Sequence, residues 1–411
     1  MSKHVTISLL ALMYVLPVFT TVCSSDGSSD PGIPITVCTS TLDDSAQNGD
    51  GTATLIDSSQ NGTRTYAIIT LARRTTINGV ITMDYMVHEP TSAPTALLVL
   101  IAGGQLDAGI VGAGSTLAAA GGNFLVRSAH LFAAQGYRVL TVDRPSDYTF
   151  YTGGSTSGYA YDGYRTSMAH AVDLSEVINI ANSSDNLPVI VVGTSRGAIS
   201  AVAQHSLGTA IAISSSVTAG ANGTPVGTGN VQPENVAAPA HVLWHVRDEC
   251  SVTPPSGSGS LLSDFPDASG ARLDGGFNDV TQSNPCKANT YHGFLGIESC
   301  AVRKTTNWLD GALTSLATTR PIANTTTSST NVNAAVNVNL NGVAAAAAGG
   351  ALTYSLPHTT TSLGGTVAIS GTTVTYAPPT GVSGTTDTFV YVVSEAGGGV
   401  GHNVVSVTIS P

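Results

Sequence analysis

The sequence predicts two folded units, an α/β domain built on a mainly parallel sheet and then a small all-β sandwich. Three observations carry that expectation. Continuous apolar runs alternate with helical periodicity between residues 96 and 246; two half-polar, β-branched segments precede them; and after Trp308 short alternating segments separated by Gly, Pro and Ser take over.

Taken in order, Lys3 and His4 precede an apolar run over residues 5–19 and then the small, polar Thr20, Thr21, Ser24 and Ser25, which reads as a signal peptide over residues 1–25 and hence as secretion. The run is short for a membrane span, and a lipid anchor at Cys23 is disfavoured because Val22 before it is large. Residues 26–59 are rich in Ser, Asp, Gly and Thr with little periodicity, so an irregular lead-in is expected. Residues 65–71 and 79–88 mix β-branched, aromatic and polar side chains, as an antiparallel edge hairpin does.

The catalytic-type domain is expected over residues 60–317. Residues 96–102 (ALLVLIA) form an apolar run that ends at Gly103-Gly104, as a buried central strand entering a tight loop would. Helical spacing over residues 124–135 stops at Gly136; residues 137–142 form the next strand, 166–181 a helix, 188–192 a strand, 198–204 a helix, and 210–214 and 241–246 two more strands. Strands alternating with helices imply right-handed crossovers and a sheet covered on both faces. Residues 318–332, rich in Thr, Asn and Ser, read as a linker, and residues 333–411 as the sandwich, with strands near 352–355, 365–369, 373–376, 388–393 and 403–409. The alanine run at 344–348 has no place in that pattern beyond a loop.

Only 10% of residues are charged and the formal net charge is −11, so the protein's field repels phosphate backbones and nucleic acid is excluded as a partner. No Cys/His cluster has metal-ligand spacing, and no metal or organic cofactor is called for.

The sharpest motif is Gly193-Thr194-Ser195-Arg196-Gly197, between the strand at 188–192 and the helix at 198. A serine on such a strand-to-helix turn takes a strained backbone that flanking glycines accommodate, and its hydroxyl projects at the sheet edge. Serine needs a base held by an acid, and in this strand order the acid and then the base follow the serine in the chain. Asp248, just past the strand at 241–246, and His292, in NTYHGF, stand where that order requires, with Glu249 the rival acid. His130, His170, His205 and His241 fall inside helices or a strand, His245 is placed to support Asp248, Asp143 and Asp147 are expected in structural hydrogen bonds, and Asp264, Asp267, Asp274 and Asp279 read as solvated loop residues. The backbone N–H of Arg196 and one from Gly104 or Gln105 are the expected oxyanion donors. Tyr148, Phe150 and Tyr151 open a stretch dense in aromatics that serves either as a substrate pocket or as rings pinning a surface loop.

After loss of the leader four cysteines remain, with three pairings open. Cys250 lies two residues after the acid and Cys286 six before the base, so their disulfide would tie the two loops; Cys300 could replace Cys286.

The stretches GGNFLVRSAHLFAAQGYRVLTVDRPSD, YRTSMAHAVDL, VVGTSRGAISA, VRDECSVTPP, NPC and YHGFLGIE resemble a family of bacterial secreted α/β-hydrolases of esterase or lipase type, over about residues 97–308. The resemblance implies the α/β-hydrolase fold, triad roles for Ser195, Asp248 and His292, and a Cys250–Cys286 pair. Ala102 stands where lipase-type loops often carry histidine. GGTVAISGTTVTYAPPTGVSGTTDTFVYVV resembles bacterial Ig-like or cadherin-like repeats, which implies a spacer or a surface-binding unit. The expected chemistry is hydrolysis of a small-molecule or polymeric ester through an acyl-enzyme; amide or peptide hydrolysis by the same groups, and a non-catalytic surface protein, are the alternatives.

Overall fold

The computed structural model describes residues 32–56, 63–71, 80–111, 118–119, 122–148, 162–218, 227–316, 318–397 and 399–411. The expected leader, Cys23, Phe150 and Tyr151 lie outside them.

Nine strands make the main sheet: β1 (Ile35–Val37), β2 (Thr63–Thr70), β3 (Thr82–Glu89), β4 (Leu97–Ile101), β5 (Arg138–Pro145), β6 (Val189–Thr194), β7 (Ala210–Ser214), β8 (Ala240–His245) and β9 (Ala268–Asp274). Their order across the sheet is β1-β9-β8-β7-β6-β4-β5-β3-β2. The β2–β3 and β3–β5 pairs are antiparallel and all others parallel. This is the α/β-hydrolase fold, with β1 added at one edge.

Side-chain alternation along the central strands shows why both faces are apolar. Leu97, Val99, Ile101, Val189 and Val191 point to one layer, where α4 (Met168–Ala181), α5 (Arg196–Ala203) and α6 (Pro255–Leu262) pack. Leu98, Leu100, Ile190 and Val192 point to the other, covered by α1 (Phe124–Arg127), α2 (Ala129–Ala134) and α7 (Glu298–Leu313). A four-residue helix, α3 (Asp162–Arg165), precedes α4. Each fully buried Val, Leu or Ile contributes up to about 1.5–3 kcal/mol, so the centre of this sheet is a rigid base for the loops at its carboxyl ends.

Three expectations are corrected. Residues 26–59 are not wholly irregular, because Ile35–Val37 pairs in parallel with β9 and Cys38 is disulfide-bonded to Cys300; three β-branched residues are too few to show a period. The Gly/Ser-rich stretch around Asp267 and Asp274 holds β9, whose small residues let neighbours close in: a Cβ on Gly270 would lie 2.8 Å from Ile33 and 3.1 Å from Trp244. The expected linker at 318–332 contains a strand, Thr326–Asn331, whose alternating burial shows Thr and Ser in the role of sheet residues.

That strand is β10 of the C-terminal unit, followed by β11 (Val336–Asn339), β12 (Leu352–Ser355), β13 (Thr366–Ser370), β14 (Thr373–Ala377), β15 (Thr385–Glu395) and β16 (Val400–Ser410). They form two sheets, ordered β10-β16-β15-β12 and β11-β14-β13. From the alanine run, Ala344–Ala345 forms a short strand against Ile322–Ala323.

The sandwich is docked, not tethered. Its apolar residues belong to the same core as α4 and α5. Ser175 shares a hydrogen bond with His402 Nδ1 (2.8 Å), Asn179 donates to the His402 carbonyl and accepts from Arg320, and His358 Nε2 meets Gln204 Oε1 at 3.0 Å.

Candidate active site

Ser195 lies between β6 and α5 with φ +54° and ψ −121°, a backbone state that L residues avoid. The flanking glycines explain how the turn closes. A Cβ on Gly193 would stand 2.2 Å from the carbonyl oxygen of Gly197, and one on Gly197 would stand 2.2 Å from that of Ile101. The first glycine lets the turn fold on itself, and the second lets α5 approach the end of β4. Ser195 is half-buried while Thr194 and Arg196 on either side are buried.

Past β8, Asp248 is buried and accepts three hydrogen bonds: from His292 Nδ1 (2.9 Å) and Thr253 Oγ1 (2.9 Å) on Oδ2, and from the Cys250 N–H (2.9 Å) on Oδ1. Glu249 is exposed. With Nδ1 on the carboxylate, the remaining ring nitrogen of His292, Nε2, is the one free to serve a reacting group. Ser195 and His292 line one cleft of about 200 Å³ together with Gly103, Gly104 and Gln105. The serine and the imidazole thus face a common space, and the carboxylate stands behind.

The loops that carry these groups are tied from several sides. The Cys250–Cys286 disulfide joins the Asp248 loop to the strand of chain leading to His292, and Cys38–Cys300 leaves no exchange of Cys286 for Cys300. Buried Arg127 donates to Glu298 (2.9 Å) and to the carbonyls of Ala288 (3.1 Å) and Gly293 (2.5 Å), on either side of His292. His245 accepts the Arg247 N–H on Nδ1 (3.0 Å) and donates from Nε2 to the Gly275 carbonyl (2.9 Å); burial pushes its pKa down, so it is a neutral prop below the Asp248 loop. Asp143 takes N–H bonds from Ala108, Ile110 and Arg144, and burial pushes its carboxyl up to about 6. It fastens the loop after β4, the structural part expected of it.

The structure locates the other expected groups as follows. Gly103 comes close enough to Ser195 that an added Cβ would lie 2.9 Å from the serine Cβ, and Gly104 has φ +54°. The Arg196 side chain turns away from the cleft onto Asp162. The ring of Tyr148 lies 4.4 Å from that of buried Tyr164, tilted by 41°, and the Tyr164 hydroxyl donates to Asp173 (2.5 Å). Asp274 and Asp279, expected as solvated, bond Arg247 and the N–H of Ala53 respectively. Asp248, Cys250 and His292 cluster as metal donors do, but the Cys250 sulfur is spent in the disulfide.

Sequence reasoning missed Thr253, Arg127 and Arg165. Arg165 is fully buried beneath the glycine loop, with the carbonyls of Ala102, Gly103 and Gly104 at 3.2, 3.4 and 3.1 Å from Nη2. The motif YRTSMAHAVDL contained it, but nothing local to that motif marks the distant carbonyls it meets.

Among solved structures, the chain is similar to a cold-adapted esterase from an Arctic intertidal metagenomic library, at 13% identity and TM-score 0.38, covering 63% of this chain and 97% of that one. It is similar to an α/β serine hydrolase without a lid from Xanthomonas campestris (14% identity, TM-score 0.36, 59% and 94% covered). It is also similar to the peroxisomal α/β-hydrolase Lpx1 of Saccharomyces cerevisiae (10% identity, TM-score 0.40, 62% and 90% covered). No curated protein matches it in sequence. Residues 318–408, which hold the docked C-terminal sandwich, match the family described as Bacterial Ig domain.

Proposed function

We propose that the protein is a serine hydrolase of carboxylic esters. The observation that carries this reading is the His292 imidazole, fixed through Nδ1 by buried Asp248 in the cleft it shares with strained Ser195. In the reaction, His292 Nε2 takes the Ser195 hydroxyl proton as Oγ attacks the ester carbonyl. Asp248 keeps the ring in the required tautomer and balances the imidazolium. The N–H of Arg196, at the start of α5, and those of the Gly103–Gln105 loop receive the charge on the carbonyl oxygen. Protonation of the leaving alkoxide by His292 gives the acyl-enzyme, and water activated by the same nitrogen releases the acid.

Two disulfides and a bacterial Ig module support an extracytoplasmic location. Among the described residues no helix is long and apolar enough to cross a membrane.

The test compares p-nitrophenyl acetate and butyrate with the matching p-nitroanilides, for the wild type and Ser195→Ala. Ester turnover that vanishes in Ser195→Ala, with anilides slower, is expected. Anilide turnover without ester turnover would move the assignment to amide hydrolysis, and turnover that survives Ser195→Ala would end it.

A further inference from the structure

The glycine loop after β4 is supported from below by a charge. Arg165, at the end of α3, is fully buried, and every hydrogen bond it makes among the described residues goes to a neutral oxygen: Ser200 Oγ at 2.9 Å from Nη1, and the three successive carbonyls of Ala102, Gly103 and Gly104 from Nη2. Asp162 offsets part of its charge through space but hydrogen-bonds Arg196 instead, and the Arg165 Nε has no hydrogen-bond partner among the described residues. A cation buried against neutral acceptors, with one donor unsatisfied, costs stability.

We propose, on the basis of the ester-hydrolase reading above, that Arg165 is a positioning residue for the oxyanion donors: its guanidinium gathers three consecutive carbonyls and so turns the N–H groups of Gly103, Gly104 and Gln105 toward Ser195. The geometry of the peptide group makes the link. In a planar trans peptide the C=O and the following N–H point in opposite directions. Carbonyls drawn down to Arg165 therefore aim the next N–H groups up, and Gly103 already packs against Ser195 while Gly104 and Gln105 line its cleft. The charge also acts through the aligned peptides. A cation at the carbonyl end polarises each unit and makes its N–H a better donor to a developing oxyanion, in a site shielded from water. Burial lowers the guanidinium pKa to about 9, which still leaves it charged at neutral pH.

The experiment uses the full chain. Wild type is first labelled with a fluorophosphonate: absence of a Ser195 adduct refutes the hydrolase reading and this inference with it, whereas a labelled wild type isolates the question of Arg165. Arg165→Gln and Arg165→Lys are then measured for kcat, KM and affinity for a boronic acid that forms a tetrahedral adduct on Ser195. Loss of one oxyanion donor lowers kcat by about 10²–10³; a fall of about a hundredfold is expected for Arg165→Gln and of about tenfold for Arg165→Lys. KM should stay within threefold, and boronate affinity should weaken in parallel with kcat. Folded Arg165→Gln with kcat within threefold of wild type, or a lower kcat with unchanged boronate affinity, overturns the proposal. If neither variant folds, the amide protons of Gly104 and Gln105 in wild type decide: downfield shifts on boronate binding support it, and unmoved resonances refute it.

Discussion

Gly197→Ala is the substitution whose consequence the structure defines most closely. The new Cβ would lie 2.2 Å from the Ile101 carbonyl oxygen, 3.0 Å from that of Ala102 and 3.1 Å from the Ile101 carbonyl carbon, all backbone atoms at the end of β4. An ordinary contact of this kind needs more than 3.4 Å, so α5 and the end of β4 must separate by about an ångström. Overpacking of that size costs about 1–3 kcal/mol. The kinetic effect is larger than the stability effect suggests, because Ser195 and the proposed donor Arg196 ride on α5, whereas the proposed donors of the Gly103–Gln105 loop follow β4. A displacement of about 1 Å between reacting groups costs about a hundredfold. Gly311→Ala is the control: its added Cβ meets nothing within 4 Å, and it lies in the last turn of α7, where alanine is the better helix former by up to about 1 kcal/mol. The assay is kcat for p-nitrophenyl acetate, with urea denaturation of each variant. Gly197→Ala is expected to remain folded with kcat down about a hundredfold, and Gly311→Ala to match wild type in kcat with equal or greater stability. A Gly197→Ala enzyme within twofold of wild type would refute the claim that the close approach of α5 to β4 sets the site.

Three further outcomes are expected. Asp248→Asn keeps the shape of the acid but loses the charge facing His292, and kcat should fall by about 10³–10⁴ in the same ester assay; a loss under tenfold would contradict the orienting role. The double variant Cys250→Ser/Cys286→Ser opens a disulfide spanning 36 residues, which by loop entropy is worth up to about 4 kcal/mol; urea denaturation should show most of that loss, and an unchanged midpoint would contradict it. Burial pushes His241 and His358 down to about 4 from 6.5, with Lys304 and His205 respectively adding to the effect, and buried His402 lies well below 6.5. Folding keeps these rings neutral while the unfolded chain takes up protons, so their contribution is intact above pH 6.5 and is lost as the pH falls toward 4. At pH 4.5 each of the first two costs about 2–3 kcal/mol. His358→Gln should remove that share of the acid loss in urea denaturation at pH 7.5 and 4.5, and an equal slope in the variant would contradict it.

The parts legible in the sequence are those whose signal is local. Gly193 and Gly197 flank Ser195 because the turn demands it within five residues, and the unbroken apolar text of β4 and β6 reports burial on both faces directly. Asp248 and His292 were recoverable from chain order, since each follows a strand or loop that returns to the carboxyl edge of the sheet. What escaped depends on partners distant in the chain. Strand β9 reads as a loop because its pairing is supplied by β1 and β8 and its Gly270 by the bulk of Trp244. The helix Pro255–Leu262 is poor in helix formers, and its Gly257 is explained only by Thr218, 2.2 Å from an added Cβ. Arg165 escaped for the same reason: the carbonyls it gathers lie 61–63 residues earlier. The docking of the Ig module was hidden too, because the bonds of Ser175 and Asn179 to His402 span more than 220 residues.

The account stands or falls on whether Ser195 is made nucleophilic by His292. The direct measurement is peptide mapping by mass spectrometry after treatment with a fluorophosphonate, for wild type and for His292→Ala. A single adduct on Ser195 in the wild type, with labelling slowed at least about a thousandfold in His292→Ala, is the predicted result. An adduct on another residue, or equal labelling of Ser195 in both proteins, would contradict it.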